Sequence, residues 1–365
     1  MRIVVAVSSV ALIGLMLAEF FVAFLLPRRV KRDPRIVRRL FSVAWKPWRA
    51  LASRLPRIAA DTMLGIFGPL GLIGILGALS LGLIAGFTGL HWANHSHLGG
   101  DTANIGGDLY FSAATFFSAS TTHNPSGGLA EALQVSEAAA GFGVLFIAIG
   151  YLPALFQAFS KRETAVSQLD PRAGSPPTAG ALLVRSGQRG GWEELDAYLR
   201  EWDTWAAELM ETQLSYPVLG YFRSQHINQN WVAALTTVVD TCALSMAYAP
   251  EDSTVAAEVT FAIGRHALAD LAYSLRAPLP RTLPDRLPSQ DLVELRSRLE
   301  GSGLHLVEDE EAEQRLRELR GSYEKYAIAI AAHLALPLPG WLPAEDVIEN
   351  WRLAHAHRRR SKPLP

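Results

Sequence analysis

The apolar positions of this chain change their pattern once, near residue 160. Before it they come in long unbroken runs. After it they recur at helical spacing among charged residues. Residues 3–26, IVVAVSSVALIGLMLAEFFVAFLL, and residues 63–90 are each long enough to cross a bilayer, which takes about 20 apolar residues. A third run, Leu133 to Phe159, is equally long. Between the second and third lies a short apolar stretch, Leu109 to Phe117, which is too short to span. It ends in Ser118, Ser120, Thr121 and Thr122, then His123, Asn124, Pro125 and a Gly127–Gly128 turn. A short helix that stops in polar residues and is followed at once by a full span reads as a re-entrant loop. Such backbone is tolerated at membrane depth only where protein covers it or it lines water.

The later pattern predicts a soluble helical domain. Trp192, Leu195, Leu199, Trp202, Trp205 and Leu209 mark one amphipathic helix. Val218 to Met246 reads as one or two buried helices, and Val255 to Leu275 as another. A Pro-rich crossing, Ala277 to Pro288, precedes helices at Leu292–Leu299 and Glu308–Leu336, and a last helix is expected over Pro343–His357. Asp170 to Pro177, DPRAGSPP, has the composition of a linker. The expected organisation is therefore an anchor (1–27), a basic connector (28–61), a helix–loop–helix membrane unit (62–160), a linker (161–177) and a helical cytoplasmic domain (178–365). The fold class is an all-α membrane protein.

Charge sharpens this picture. The 365 residues carry a formal net charge of −1, but the charge is segregated. Arg28 to Arg57 holds eleven basic residues and one acid, whereas Thr62 to Ser160 holds no Lys or Arg. The positive-inside rule puts the basic connector in the cytoplasm, the N-terminus outside and the 91–132 segment outside. The last span then re-enters and meets Lys161 and Arg162. Trp45 and Trp48 beside Lys46 and Arg49 suit an interfacial segment on anionic membrane lipid. Membrane spans on both flanks argue against nucleic acid as the partner. The one cysteine, Cys242, excludes a disulfide within the chain.

Candidate chemistry is sparse. Glu19 sits inside the first span, where an acid usually faces protein or water. Gly65, Gly68, Gly71, Gly74 and Gly77, continued by Gly82, Gly86 and Gly89, predict close packing of the second span against the third. The outer segment carries His91, His95 and His97 with Asp101 and Asp108, and Glu131 lies beyond the loop. His91 and His95 are spaced to share a helix face. Histidine with carboxylate is a metal-binding combination, yet no cysteine assists and solvated loop histidines are the plainer reading, so no metal site is expected. A pH-responsive vestibule is the other expectation. Gly141 and Gly143 are hinge candidates in the third span, and Pro153 predicts a kink. In the soluble part, Arg223 with His226, and Arg265 with His266 and Asp270, are weak candidates for an anion pocket. No catalytic constellation and no cofactor motif is present, so no enzyme is expected.

The stretch Leu109 to Phe117, LYFSAATFF, resembles the pore helix of the two-transmembrane potassium channel family, with Thr115 on that family's Thr. The resemblance covers roughly residues 62–160. Where the family's filter reads T-V-G-Y-G-D, this chain has Ser118, Ala119, Ser120, Thr121, Thr122 and His123. Ser120 and Thr122 replace the two glycines that make a ladder of backbone carbonyls inexpensive. The stretches QAFSKRETAVSQLDPRAGSPP and SYPVLGYFRSQH resemble the cytoplasmic part of bacterial channel-like membrane proteins. The resemblance implies a homotetrameric channel of the cell membrane that passes monovalent cations with weak or altered selectivity. Its vestibule would be Asp101, Asp108 and Glu131, its gate Gly141, Gly143 and Pro153, and its cytoplasmic domain would do the gating. Four protonated His123 side chains should oppose cation entry, so lower external pH should reduce the current. The alternative is a non-conducting scaffold of the same fold whose cytoplasmic domain is a sensor or partner-binding module.

Overall fold

The computed structural model describes residues 1–26, 36–94, 104–121, 127–226, 228–307 and 310–343. His95, His97, Asp101, Thr122 and His123 lie outside these residues, as does the last helix expected over Pro343–His357 beyond its first residue. Among the described residues the fold is built from eleven α-helices, with short π- and 3₁₀-helical turns and no strand. The chain divides into two compact units, Met1–Phe156 and Gln157–Pro365.

The first unit holds α1 (Arg2–Phe20, continued by a π-helical turn Phe21–Leu25), α2 (Ile36–Ala52), α3 (Arg57–Ala93), α4 (Ile105–Phe116) and the first part of α5 (Gly128–Ala173). Arg2–Leu25, α3 and α5 are long and apolar enough to cross a membrane, with mean hydropathies of 2.3, 2.2 and 2.0. α1 runs antiparallel to α3. The Arg2 guanidinium lies 5.7 Å from the Trp92 ring. Further along, a Cβ on Gly89, Gly86 or Gly82 would collide with Ser9, Ile13 or Met16 respectively. Gly71 takes the Phe41 ring of α2 in the same way. These glycines of α3 therefore make room for α1 and α2, and not for α5 as their spacing had suggested. Gly74 and Gly77 face open space. The spacing announced close approach, but periodicity alone does not name the partner.

The basic connector contains a helix. In α2, Phe41 and Trp45 are buried, and their rings pack 4.8 Å from that of Phe67 on α3. Trp48 donates its indole N–H to the Met63 carbonyl at 2.9 Å. Residues 41, 45, 48 and 52 fall on one stripe at helical spacing. Glu19 is buried in the last turn of α1, in keeping with an acid at a helix contact.

α5 runs unbroken from Gly128 through Pro153 to Ala173, so residues 161–173 are helix where a linker was expected. The Pro, Gly and Ser of DPRAGSPP act only at its end, where Gly174 has φ +88° and the chain turns.

The second unit adds α6 (Ala179–Gly187), α7 (Gly191–Ser215), α8 (Trp231–Tyr248), α9 (Val255–Leu275), α10 (Ser289–Gly301) and α11 (Glu310–Leu334). α8 is the fourth helix that is long and apolar enough to span, but it is the least apolar, at 1.3, and its apolar stretch is 94% buried against 11% for α5. α7, α9 and α11 surround it. Several of its hydroxyls are matched internally: Thr237 donates to Pro177 O at 3.0 Å, Thr241 to Thr237 O at 2.7 Å and Ser245 to Thr241 O at 2.9 Å. It is the core helix of this unit and leaves no face for lipid. Asn230 starts it, accepting the Ala233 N–H at 2.7 Å.

Candidate functional site

α4 is the short helix expected between the spans, and its ends are chemically defined. Asn104 caps the start, accepting the Gly107 N–H at 2.8 Å. Asp108, a vestibule candidate from the sequence, stands buried in the first turn, where the helix dipole favours an acid. Phe111, Ser112, Ala114, Thr115 and Phe116 are buried, while Leu109, Tyr110 and Phe117 are exposed on the other face.

The C-terminal end is a Schellman motif. The Ala119 N–H reaches Ala114 O at 2.7 Å and the Ser118 N–H reaches Thr115 O at 3.0 Å. Ser118 occupies the left-handed position at φ +57°, where glycine is usual. The first residue of the filter-like sequence is thus part of a helix cap, and its carbonyl is not one rung of an extended ladder. Ser118, Ala119 and Ser120 are exposed and Thr121 is half-buried.

Two contacts fix α4 against α5. The carbonyl of Phe116 presses on Gly141, where a Cβ would stand 2.0 Å from the oxygen. One turn earlier on both helices, the Ser112 hydroxyl faces the Glu137 carboxylate, without a hydrogen bond of ordinary geometry. The pairs 112/137 and 116/141 advance together, so α4 and α5 run parallel. Gly141 is thirteen residues into α5, about 20 Å along its axis at 1.5 Å per residue. The chain after Phe116 must regain about 20 Å before α5 begins at Gly128. Gly141 is therefore a site of backbone contact, while its companion hinge candidate Gly143 faces open space.

His91 belongs to this packing and not to an exposed loop. Its Nε2 lies 3.3 Å from Glu137 Oε2, and both side chains are fully buried. Phe111 stands edge-on to the imidazole, with ring centroids 5.2 Å apart. His91 Nδ1, Glu137 Oε1, Ser112 Oγ and Thr115 Oγ1 have no hydrogen-bond partner among the described residues. A pair 46 positions apart in sequence carries no local signal. No group of three or more potential metal ligands occurs among the described residues. Glu131 is exposed in the first turn of α5.

The weak anion-pocket candidates of the second unit sit at a helix end or on the surface. Arg223 caps the end of α11, donating to Leu334 O at 3.1 Å and Ala335 O at 2.7 Å. His226, Arg265 and His266 are exposed. The charged cluster it does build was not anticipated. Arg286, from the Pro-rich crossing, donates to both oxygens of Asp240, at 2.7 and 3.1 Å, and to Glu324 at 3.2 Å. It also reaches Pro339 O at 3.0 Å. Tyr323 donates its hydroxyl to Asp240. Arg320 bridges Glu324 and Asp285, and both guanidinium groups lie within 6 Å of the Trp341 ring. Burial pushes the Glu324 carboxyl up despite the two arginines, whereas the hydrogen bond from Arg320 holds Asp285 below its usual range. Burial raises the Tyr323 hydroxyl as well. The cluster pins an irregular segment to α8 and α11. Separately, α6 and α10 flank an apolar cavity of about 420 Å³ lined by Val184, Leu295 and Leu342, with Arg185 and Arg298 also in its wall.

No family model matches this chain, and no curated protein or solved structure matches it.

Proposed function

We propose that this chain is one subunit of a homotetrameric, potassium-channel-like pore in the cell membrane. It would pass monovalent cations with weak selectivity. The supporting observation is where α4 stops. Its last carbonyl abuts Gly141, about 20 Å along α5, and the next residues, Ser118 to Ser120, are exposed polar backbone. Exposed irregular backbone at that depth is not tolerated against lipid tails. In the proposed assembly, copies of the chain surround it and water fills the space between them, by closed symmetry. The charge rule orients the reading: α2 is cytoplasmic, α4 enters from outside, and the second unit is cytoplasmic. The continuity of α5 into the second unit supplies a route by which that unit acts on the pore. The Schellman cap at Ser118 and the missing filter glycines argue for hydroxyls and water around the ion, with poor discrimination.

One observation favours a second reading. Ser118 spends its backbone on a cap, so the fold can persist without a filter, and the cavity between α6 and α10 would suit a sensor unit. Flux through purified protein in liposomes under potassium, sodium and chloride gradients separates the two, with protein-free vesicles as control. Cation flux with little discrimination supports the channel. Chloride flux keeps a pore but overturns its cation preference. Silence for all three ions, with the tetramer intact and the second unit either present or removed, supports the scaffold.

A further inference from the structure

We propose that His91 and Glu137 share a single proton in a buried site and act as positioning residues, a latch that sets the depth of α4 between the flanking spans. The first half of this stands on geometry alone. The second rests on the reading of α4 as a pore helix.

Both side chains are fully covered, and their facing atoms are 3.3 Å apart. Neither side chain is reached by bulk solvent. A bare carboxylate or a bare imidazolium in such a place is very costly. Only one protonation count makes the pair neutral overall, one proton held between Nε2 and Oε2. A second proton leaves a buried positive charge, and loss of the first leaves a buried negative one. Among the described residues, the packed elements offer Arg2 on α1, turned over Trp92, the buried Asp108 on α4 and the exposed Glu131 on α5. Glu19 lies seventeen residues further along α1, and Asp61 at the opposite end of α3. The pair should therefore keep its one proton across the range where a free histidine titrates, near pH 6.5.

The latch joins three helices at one level. His91 comes from α3 and Glu137 from α5, and α4 closes the site with Phe111 and Ser112. One turn below, Phe116 meets Gly141. Loosening the pair frees the level at which α4 sits, and with it the position of Ser118 to Thr121.

The test uses the full-length protein in liposomes and needs no flux. Thermal unfolding is followed from pH 5 to 8 for the parent, His91→Gln, Glu137→Gln and the double variant. The parent's midpoint should hardly move with pH. In His91→Gln the carboxyl loses its partner in a buried site, where the neutral form is the cheaper one. Its stability should be greatest at pH 5 and fall as pH rises. The double variant should be flat again, and the two single effects should not add. A His91→Gln midpoint as flat as the parent's, or strictly additive effects, overturns the shared proton. If His91→Gln fails to fold, nitrogen NMR of labelled histidine in the parent decides: an imidazole that titrates freely near 6.5 overturns the proposal, and one that stays unchanged from 5 to 8 supports it. For the second half, where flux is present, His91→Gln should change ion discrimination and make it pH-dependent. Unchanged discrimination leaves the proton-sharing pair and removes its positioning role. A silent parent defeats the channel reading but not the pair.

Discussion

Gly141 and Phe116 approach so closely that a Cβ on the glycine would stand 2.0 Å from the phenylalanine carbonyl oxygen. The obstacle is backbone, so no side-chain rotation relieves it. Gly141→Ala should push α4 off α5 and cost about 1–3 kcal/mol, as overpacking does. Gly143 has nothing within 4 Å, and Gly143→Ala should be neutral or stabilise by about 0.5–1 kcal/mol through helix propensity. Thermal unfolding of the two variants in one detergent checks the contrast. Equal midpoints for the two would refute the close approach.

Ser118 and Arg276 make the same demand on the backbone. Each occupies the left-handed position of a Schellman cap, at φ +57° and +53°, at the ends of α4 and α9. Non-glycine residues pay about 1–2 kcal/mol there, part of which glycine returns through its freer unfolded chain. Ser118→Gly and Arg276→Gly should each stabilise by up to about 1 kcal/mol, and Ser118→Val should destabilise. Unfolding midpoints measure this directly. A drop on Ser118→Gly would mean that the hydroxyl, and not the backbone, is what the position needs.

These two glycine-sensitive places mark how far the sequence was legible. Most helices of both units follow from apolar period and breakers: Val255–Leu275 matches α9 residue for residue, and Leu109–Phe117 falls within one residue of the end of α4. Partners are another matter. Gly82, Gly86 and Gly89 announce a neighbour, but only the fold says that it is α1. His91 reads as half of an i, i+4 pair with His95, and tertiary packing gives it Glu137 instead. α6 was missed because nine residues beside a Pro- and Gly-rich turn carry little period. The Arg286 cluster was missed because its members come from residues 240, 285, 286, 320, 323, 324 and 341, and no local window holds more than three of them.

That cluster makes a prediction about pairs and singles. Asp240 is 1% and Arg286 7% exposed at the side chain. Removing Asp240 leaves Arg286 with Glu324 alone, and removing Arg286 leaves Asp240 with only the Tyr323 hydroxyl, so Asp240→Leu or Arg286→Met alone should cost about 3–5 kcal/mol. The double variant should recover most of the loss, since apolar groups of similar size need no pairing. Denaturant unfolding of all four proteins closes the cycle. Additive single losses would show that the two residues act separately.

The same cluster should shape the pH dependence of stability, with two opposite signs. Asp285 is held below its ordinary value of 3.8, first by its hydrogen bond from Arg320. Its contribution is complete above that value and is lost as pH falls below it. Glu324 is raised above 4.5, burial being the largest cause. Its contribution is complete below that value and is lost as pH rises through the folded value. Asp285→Asn should flatten the acid side of a stability profile, and Glu324→Gln the side above 4.5. The Asp285 effect should be small and weaken with salt, because its side chain is 60% exposed. An acid limb unchanged by Asp285→Asn would refute the assignment.

Arg162 yields the prediction closest to function. It lies on the part of α5 that belongs to the second unit and is almost fully buried there. Nη1 donates to Leu219 O and Nη2 to Phe222 O, both at 2.8 Å, and Nε donates to Glu163 at 2.9 Å. Both carbonyls belong to the SYPVLGYF segment. Two well-aimed bonds from one guanidinium fix that segment to the helix in position and direction, which a lysine's single ammonium cannot reproduce. Arg162→Lys should keep the helix but loosen residues 216–226, costing about 1.5–3 kcal/mol for one lost charged bond. Hydrogen exchange should rise over 216–226 and remain unchanged over α8. If the chain forms the proposed pore and α5 transmits the state of the second unit to it, flux in Arg162→Lys should become independent of changes that unfold that segment, while ion discrimination stays as in the parent. Faster exchange with unaltered flux would leave Arg162 as a structural clasp and remove it from gating.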